Sequence, residues 1–135
     1  MSRFEGAANG VYSVFASVEW LAENIAVFPT DYTNKDDLKE FLRVSVVPSG
    51  SGVNRKSISG VVLIDIFYEY GSGPKRGYQL ADILDKFLSN KSLATASGLI
   101  VQFNQGVTQP LGQDAINNNL SRMQYSIPFN YFGVL

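Results

Sequence analysis

The stretch between residues 41 and 70 constrains the fold more than anything else in this chain. Phe41 to Val47 alternates, with Leu42, Val44 and Val46 on one face and Arg43 and Ser45 on the other. That period of two is the mark of a half-buried strand. Ser57 to Tyr70 is a longer run of the same kind. Val62, Ile64, Ile66, Tyr68 and Tyr70 form an unbroken apolar face, while Val61, Leu63 and Phe67 share the other with Asp65 and Glu69. The Gly/Ser-rich segment between the runs is too short for a crossover helix, so the two strands are expected to pair as an antiparallel hairpin.

The rest of the chain is read around that hairpin. Val11, Phe15, Val18, Leu21, Ala22 and Ile25 recur at spacings of three and four, which predicts a helix from about Val11 to Asn24. Ile25 to Phe28 then reads as a short strand ended by Pro29. From Tyr78 to Leu88 the helical period returns, with Leu80, Ile83, Leu84, Phe87 and Leu88 as its stripe. Leu99 to Phe103 alternates. So does Leu120 to Tyr131, where Pro128 suggests an edge or a bulge. Pro48 to Gly60, Gly71 to Gly77 and the Gln/Asn-rich stretch from Asn104 to Asn119 read as loops. The first and last of these suit segments that order on meeting a partner.

The order is helix, short strand, two long strands, helix, two strands (α-β-β-β-α-β-β). This predicts an α+β fold, with a single mainly antiparallel sheet and two helices packed on one face. With 135 residues the whole chain, 1–135, is expected to be a single domain. The N-terminal stretch carries both charges and two glycines, unlike a signal peptide. The longest apolar run, Val61 to Ile64, is far short of the ~20 residues that cross a bilayer. A soluble protein made in the cytosol, with no membrane partner, is the expectation.

Composition closes most catalytic routes. There is no histidine and no cysteine, which removes the commonest general base, the Ser-His-Asp triad, thiolate nucleophiles and nearly every zinc site. Eleven Lys and Arg oppose twelve Asp and Glu, a net charge of −1, so a strongly electrostatic nucleic-acid binder is not the default. No enzymatic activity, cofactor or metal is expected.

The remaining candidates are few. The Gly71–Gly77 turn, G-S-G-P-K-R-G, precedes a helix and could cradle an anion with help from Lys75 and Arg76. Its spacing fits neither common phosphate-binding motif, and a tight connection explains it as well. Asp65 and Glu69 share a strand face about 13 Å apart at ~3.3 Å per residue, too far for a catalytic carboxylate pair. Pairing with Lys or Arg of neighbouring strands, or solvation, is the plainer reading. Asp36 and Asp37 beside Lys35 read as a solvated charged turn. Trp20 and the tyrosines suit a core or a subunit contact.

One feature argues against a monomer. With helices on one side of the sheet, Val61, Leu63 and Phe67 need cover on the other, and a second copy of the chain supplies it economically. Two basic pairs flank the long strand, Arg55 with Lys56 before it and Lys75 with Arg76 after it. A strand of about ten residues spans roughly 33 Å, so the pairs fall at opposite ends of the sheet. At least one pair is expected to meet acidic groups of a neighbour, with two solvated pairs as the alternative.

The run FLRVSVVPSGSGVNRKSISGVVLIDIFY from Phe41 to Tyr68 and the run GSGPKRGYQLADILDKF from Gly71 to Phe87, with the terminal strand Met123 to Phe132, resemble the tail terminator (tail completion) proteins of tailed bacteriophages. The shared features are an opening helix, a short strand before a proline and an aromatic–aliphatic–Arg–Val strand running to a proline. A long apolar strand, a glycine-rich turn and a helix carrying Ala81-Asp82 and Phe87 follow. The Asn104–Asn119 segment matches nothing in that pattern. The resemblance implies a virion protein made in the host cytoplasm and placed at the head-proximal end of the tail. There it forms a ring, usually a hexamer, that stops polymerisation of the tail tube. Its implied partners are further copies of itself, the major tail tube protein and the head-side connector, with DNA only as cargo through the ring. Another neck or tail-tube protein of related fold, or a small anion-binding protein or enzyme using the Gly71–Gly77 turn, are the alternatives.

Overall fold

The computed structural model describes residues 3–29, 38–51, 57–71, 73–94, 100–114 and 119–132. Among these lie three helices, α1 (Arg3–Phe15), α2 (Val18–Leu21) and α3 (Lys75–Leu88). The strands are β1 (Val27–Pro29), β2 (Phe41–Ser51), β3 (Ile58–Glu69), β4 (Ser92–Ala94), β5 (Ile100–Phe103), β6 (Val107–Gln113) and β7 (Leu120–Phe132). They form one sheet in the order β1-β2-β3-β7-β5-β4, with β6 also paired to β7. Only the β1–β2 contact is parallel. The expected α+β fold, with one mainly antiparallel sheet, is what the chain adopts.

The hairpin forms in the expected register. Leu42, Val44 and Val46 of β2 face Ile66, Ile64 and Val62 of β3, and β7 brings Met123, Tyr125 and Ile127 alongside them. This face carries α1 and α3. Ala7, Val11 and Val14 of α1 and Leu80, Ala81, Leu84 and Leu88 of α3 close the main core over it. Each fully buried Leu or Ile there contributes about 1.5–3 kcal/mol through removal from water.

The first helix departs from expectation at both ends. It begins at Arg3 and stops at Phe15, and α2 follows as a separate turn. The reason at the start is packing. Gly6 is buried against the sheet, and a Cβ there would overlap the Tyr131 hydroxyl, so a residue that usually weakens helices is needed for close approach. The break is made by Ser17, extended at φ −70 and ψ 152, whose hydroxyl accepts from the Trp20 amide at 3.3 Å and donates to the Val14 carbonyl at 2.7 Å. This is an N-cap hidden inside an apolar period of three and four.

The Gln/Asn-rich stretch is not simply a loop. β6 occupies its middle, antiparallel to β7, with an irregularity between Pro110 and Gly112. β5 and β6 run along the same side of β7: Phe103 pairs with Phe129 and Val107 with Ser126, so Asn104–Gly106 forms an interruption. Pro128 lies opposite that interruption, and its carbonyl accepts from the Asn104 amide at 2.9 Å. A residue's carbonyl and amide point to the same side of a strand, so the missing Pro128 N–H also faces the gap, where no ladder bond needs it. Neither the expected edge nor a bulge in β7 is found: β7 is paired on both sides, and its register with β3 runs unbroken through Pro128 opposite Val61, so the gap between β5 and β6 is what accommodates the proline.

Candidate assembly surface

The face of the sheet opposite the helices carries Phe41, Arg43, Ser45 and Val47 of β2 and Val61, Leu63, Asp65 and Phe67 of β3. From β7 come Leu120, Arg122, Gln124, Ser126 and Pro128. One end of it is closed by the chain itself. Phe41 stacks on Phe67 with ring centres 4.5 Å apart, Phe28 of β1 meets Phe41 edge-on, and Leu120, Leu38 and Ala26 complete a second, smaller core. Phe67 is therefore only 1% exposed. This corrects the expectation that it awaits a partner: the stacked Phe41 ring, the Arg43 guanidinium and the small core around them already cover it.

Next to this cluster is a charged centre. Asp65, 8% exposed, takes two N–H bonds on each oxygen. Arg43 donates to Oδ2 from Nε at 3.3 Å and Nη2 at 3.0 Å, and Arg122 donates to Oδ1 from Nε at 3.1 Å and Nη2 at 2.7 Å. The Arg43 guanidinium also lies 5.1 Å from the centre of the Phe67 ring. Two half-buried cations hold one carboxylate, a local positive excess, and the other acid of β3 on this face, the exposed Glu69, lies about 13 Å further along the strand. Pairing of Asp65 with neighbouring strands was legible from the polar positions of β2 and β3. The second arginine was not, because its place depends on β7 lying beside β3.

Beyond the charged centre the face opens. Leu63 and Val61 are half-buried, and Val47, Val61 and Pro128 align across three strands with Val47 and Pro128 exposed. Val107 of β6, next to Ser126, is 66% exposed. Val61 and Leu63 thus keep part of their surface open on this face.

The basic pairs fare differently. Arg55 and Lys56 lie outside the described residues, as do Lys35, Asp36 and Asp37. Lys75 and Arg76 open α3, and both are exposed. Arg76 donates from Nε and Nη2 to the two Glu40 oxygens, at 2.7 Å each, and from Nη1 to Gln79 at 3.3 Å. Hydrogen bonding to Glu40 holds the Arg76 pKa above its ordinary value, against a smaller opposing effect of burial. Arg76 thus pins α3 to the approach to β2, and its charge is answered within the chain.

A groove of about 350 Å³ follows the Gly71–Gly77 turn, walled by Tyr68, Tyr70, Gly71, Gly73, Pro74, Pro110, Gly112 and Ser121. Neither Lys75 nor Arg76 lines it. Gly71, Gly73 and Gly112 have φ of 102°, 79° and 84°, so the turn geometry itself accounts for these glycines. No helix among the described residues is long and apolar enough to cross a membrane.

No family model matches the chain, and no curated protein matches it. One solved structure, whose name states no activity, superposes with a TM-score of 0.65 at 17% identity, covering 98% of this chain and 96% of the other. At that identity the likeness is one of fold.

Proposed function

We propose that this chain is a structural subunit of a bacteriophage tail, a terminator that assembles as a ring on the last layer of the tail tube. The observation that carries the reading is the two-sided sheet. Helices cover one face, the small core around Phe41, Phe67 and Leu120 closes one end of the other, and Val47, Val61, Leu63 and Pro128 remain for a neighbour. The order of elements supports it too, since the opening helix, the Arg43-bearing strand, the long β3, the glycine turn and α3 fall where the resemblance to tail terminators puts them. In this role the ring stops tube polymerisation, offers its far side to the head connector and lets DNA pass. A neck or tube component of related fold shares this support.

A second reading, a small-molecule site, has the groove beside the Gly71–Gly77 turn in its favour. Among the described residues no cationic side chain lines that groove, so it does not favour an anion. Negative-stain imaging of the purified protein, with and without tail tubes, tests the first reading: rings that cap tube ends support it. A monomer that saturably binds inorganic phosphate at the turn, and leaves tubes uncapped, would support the second.

A further inference from the structure

We infer that the open sheet face of each copy is covered by the α1–α2 corner of the next copy, through Val18, Glu19 and Leu21. The inference rests on the ring reading above and adds to it which two surfaces meet.

The corner is unusual for a surface. Trp20 turns inward, packing edge-on against Phe15 at 4.9 Å and Phe87 at 5.1 Å. The other three residues of α2 are then left outside, with Val18 79% and Leu21 61% exposed. Glu19 is exposed beside them and has no ion-pair partner among the described residues. Two large apolar side chains one helical turn apart, next to an unanswered carboxylate, make a small knob of mixed chemistry.

The open face offers the complement. Val61 and Leu63 supply apolar area, and Arg43 and Arg122, two cations that share the Asp65 carboxylate, supply positive charge beside them, while Glu69 lies about 13 Å from Asp65 toward the far end of the strand. Leu63 is two residues from Asp65, about 7 Å along the strand. A helix that rests Val18 and Leu21 on Val61 and Leu63 therefore holds Glu19 within side-chain reach of the guanidiniums. Opposite charges that meet on a desolvated face also fix the register of contact. The outer side of α3 is a poorer match, because its Asp82 is flanked by polar Gln79 and Lys86.

The two surfaces lie on opposite sides of the molecule, the corner with the helices and the arginines beyond the sheet. Such a contact is head-to-tail, and repetition of it yields a ring or a filament, not a two-fold dimer.

The absence of native cysteine allows a direct test. A chain carrying Leu21→Cys and Leu63→Cys, oxidised mildly while assembled, is expected to give a covalent ladder ending at the ring, with each single variant staying monomeric on a denaturing gel. Glu19→Arg, an exposed change that leaves the fold intact by circular dichroism, is expected to raise the concentration needed for assembly at least tenfold. Rings that form without cross-linking and tolerate Glu19→Arg would overturn the inference while sparing the ring reading. Quantitative dimers from Leu63→Cys alone would overturn it in favour of a two-fold contact. A wild-type chain that never assembles would overturn both.

Discussion

Tyr125, at the middle of the central strand, donates its hydroxyl proton to the Asp85 carboxylate of α3 across 2.6 Å. Ser89, just past α3, donates to the same oxygen at 2.7 Å and accepts from the Gly106 amide at 3.0 Å. Gly106 belongs to the interruption between β5 and β6, and a Cβ there would overlap the Tyr125 hydroxyl. One buried phenol thus joins the helix layer, the sheet and the irregular edge. Tyr125→Phe leaves the ring packing intact and removes the bond, so a loss of about 1–3 kcal/mol is expected in urea unfolding. A midpoint equal to wild type would show that the network contributes nothing.

The same hydroxyl should govern stability in alkali. Burial first, and then the hydrogen bond to Asp85, raise the Tyr125 pKa well above its ordinary value of 10.0. The folded state then keeps a proton that the unfolded chain releases, so the contribution is complete below pH ~10 and is lost as pH rises above it. Burial moves Tyr68 and Tyr131 in the same direction. Unfolding free energy should fall above pH ~10 in the wild type and fall less steeply in Tyr125→Phe. Equal slopes would contradict this.

Gly6 and Tyr131 should be coupled. A methyl group at Gly6 meets the Tyr131 ring and hydroxyl, so Gly6→Ala should cost about 1–3 kcal/mol through overpacking, although alanine favours a helix by ~1 kcal/mol. Adding Tyr131→Phe removes one of the clashing atoms and should recover part of the loss. A double-mutant cycle with no interaction energy would reject the close approach as the cause.

The two arginine clusters should differ in weight. The Arg76–Glu40 pair is exposed, and Arg76→Ala should cost less than ~1 kcal/mol, and less still in 1 M salt. Asp65→Asn leaves two half-buried guanidiniums facing a neutral amide, and about 2 kcal/mol is expected. Urea titrations of both variants at low and high salt give the comparison, and the reverse ranking would contradict it.

Much of this fold was legible because the strongest patterns were the longest. β3 and β7 alternate over a dozen residues, so their faces could be assigned from sequence, and α3 carries a full stripe from Leu80 to Leu88. What escaped had tertiary causes. α1 hides Gly6, which serves packing against Tyr131 of the sheet, and Ser17 caps a turn inside an uninterrupted apolar period. β6 reads Val-Thr-Gln-Pro-Leu-Gly-Gln and is nearly all exposed; β7 beside it gives it a ladder partner that no local pattern reveals. For the candidate surface, the apolar side of β3 was visible from residue spacing. That Phe67 is already covered, and that Arg122 joins Arg43 on Asp65, depend on which strands become neighbours.

The central claim is that this chain acts as a ring-forming subunit, and its mass in solution tests that most directly. Analytical ultracentrifugation of the purified chain across a wide concentration range, alone and with tail tubes, should show a closed oligomer near six chain masses. That species should sediment with the tubes. A chain that stays monomeric at every concentration, and leaves tubes unbound, would contradict the account.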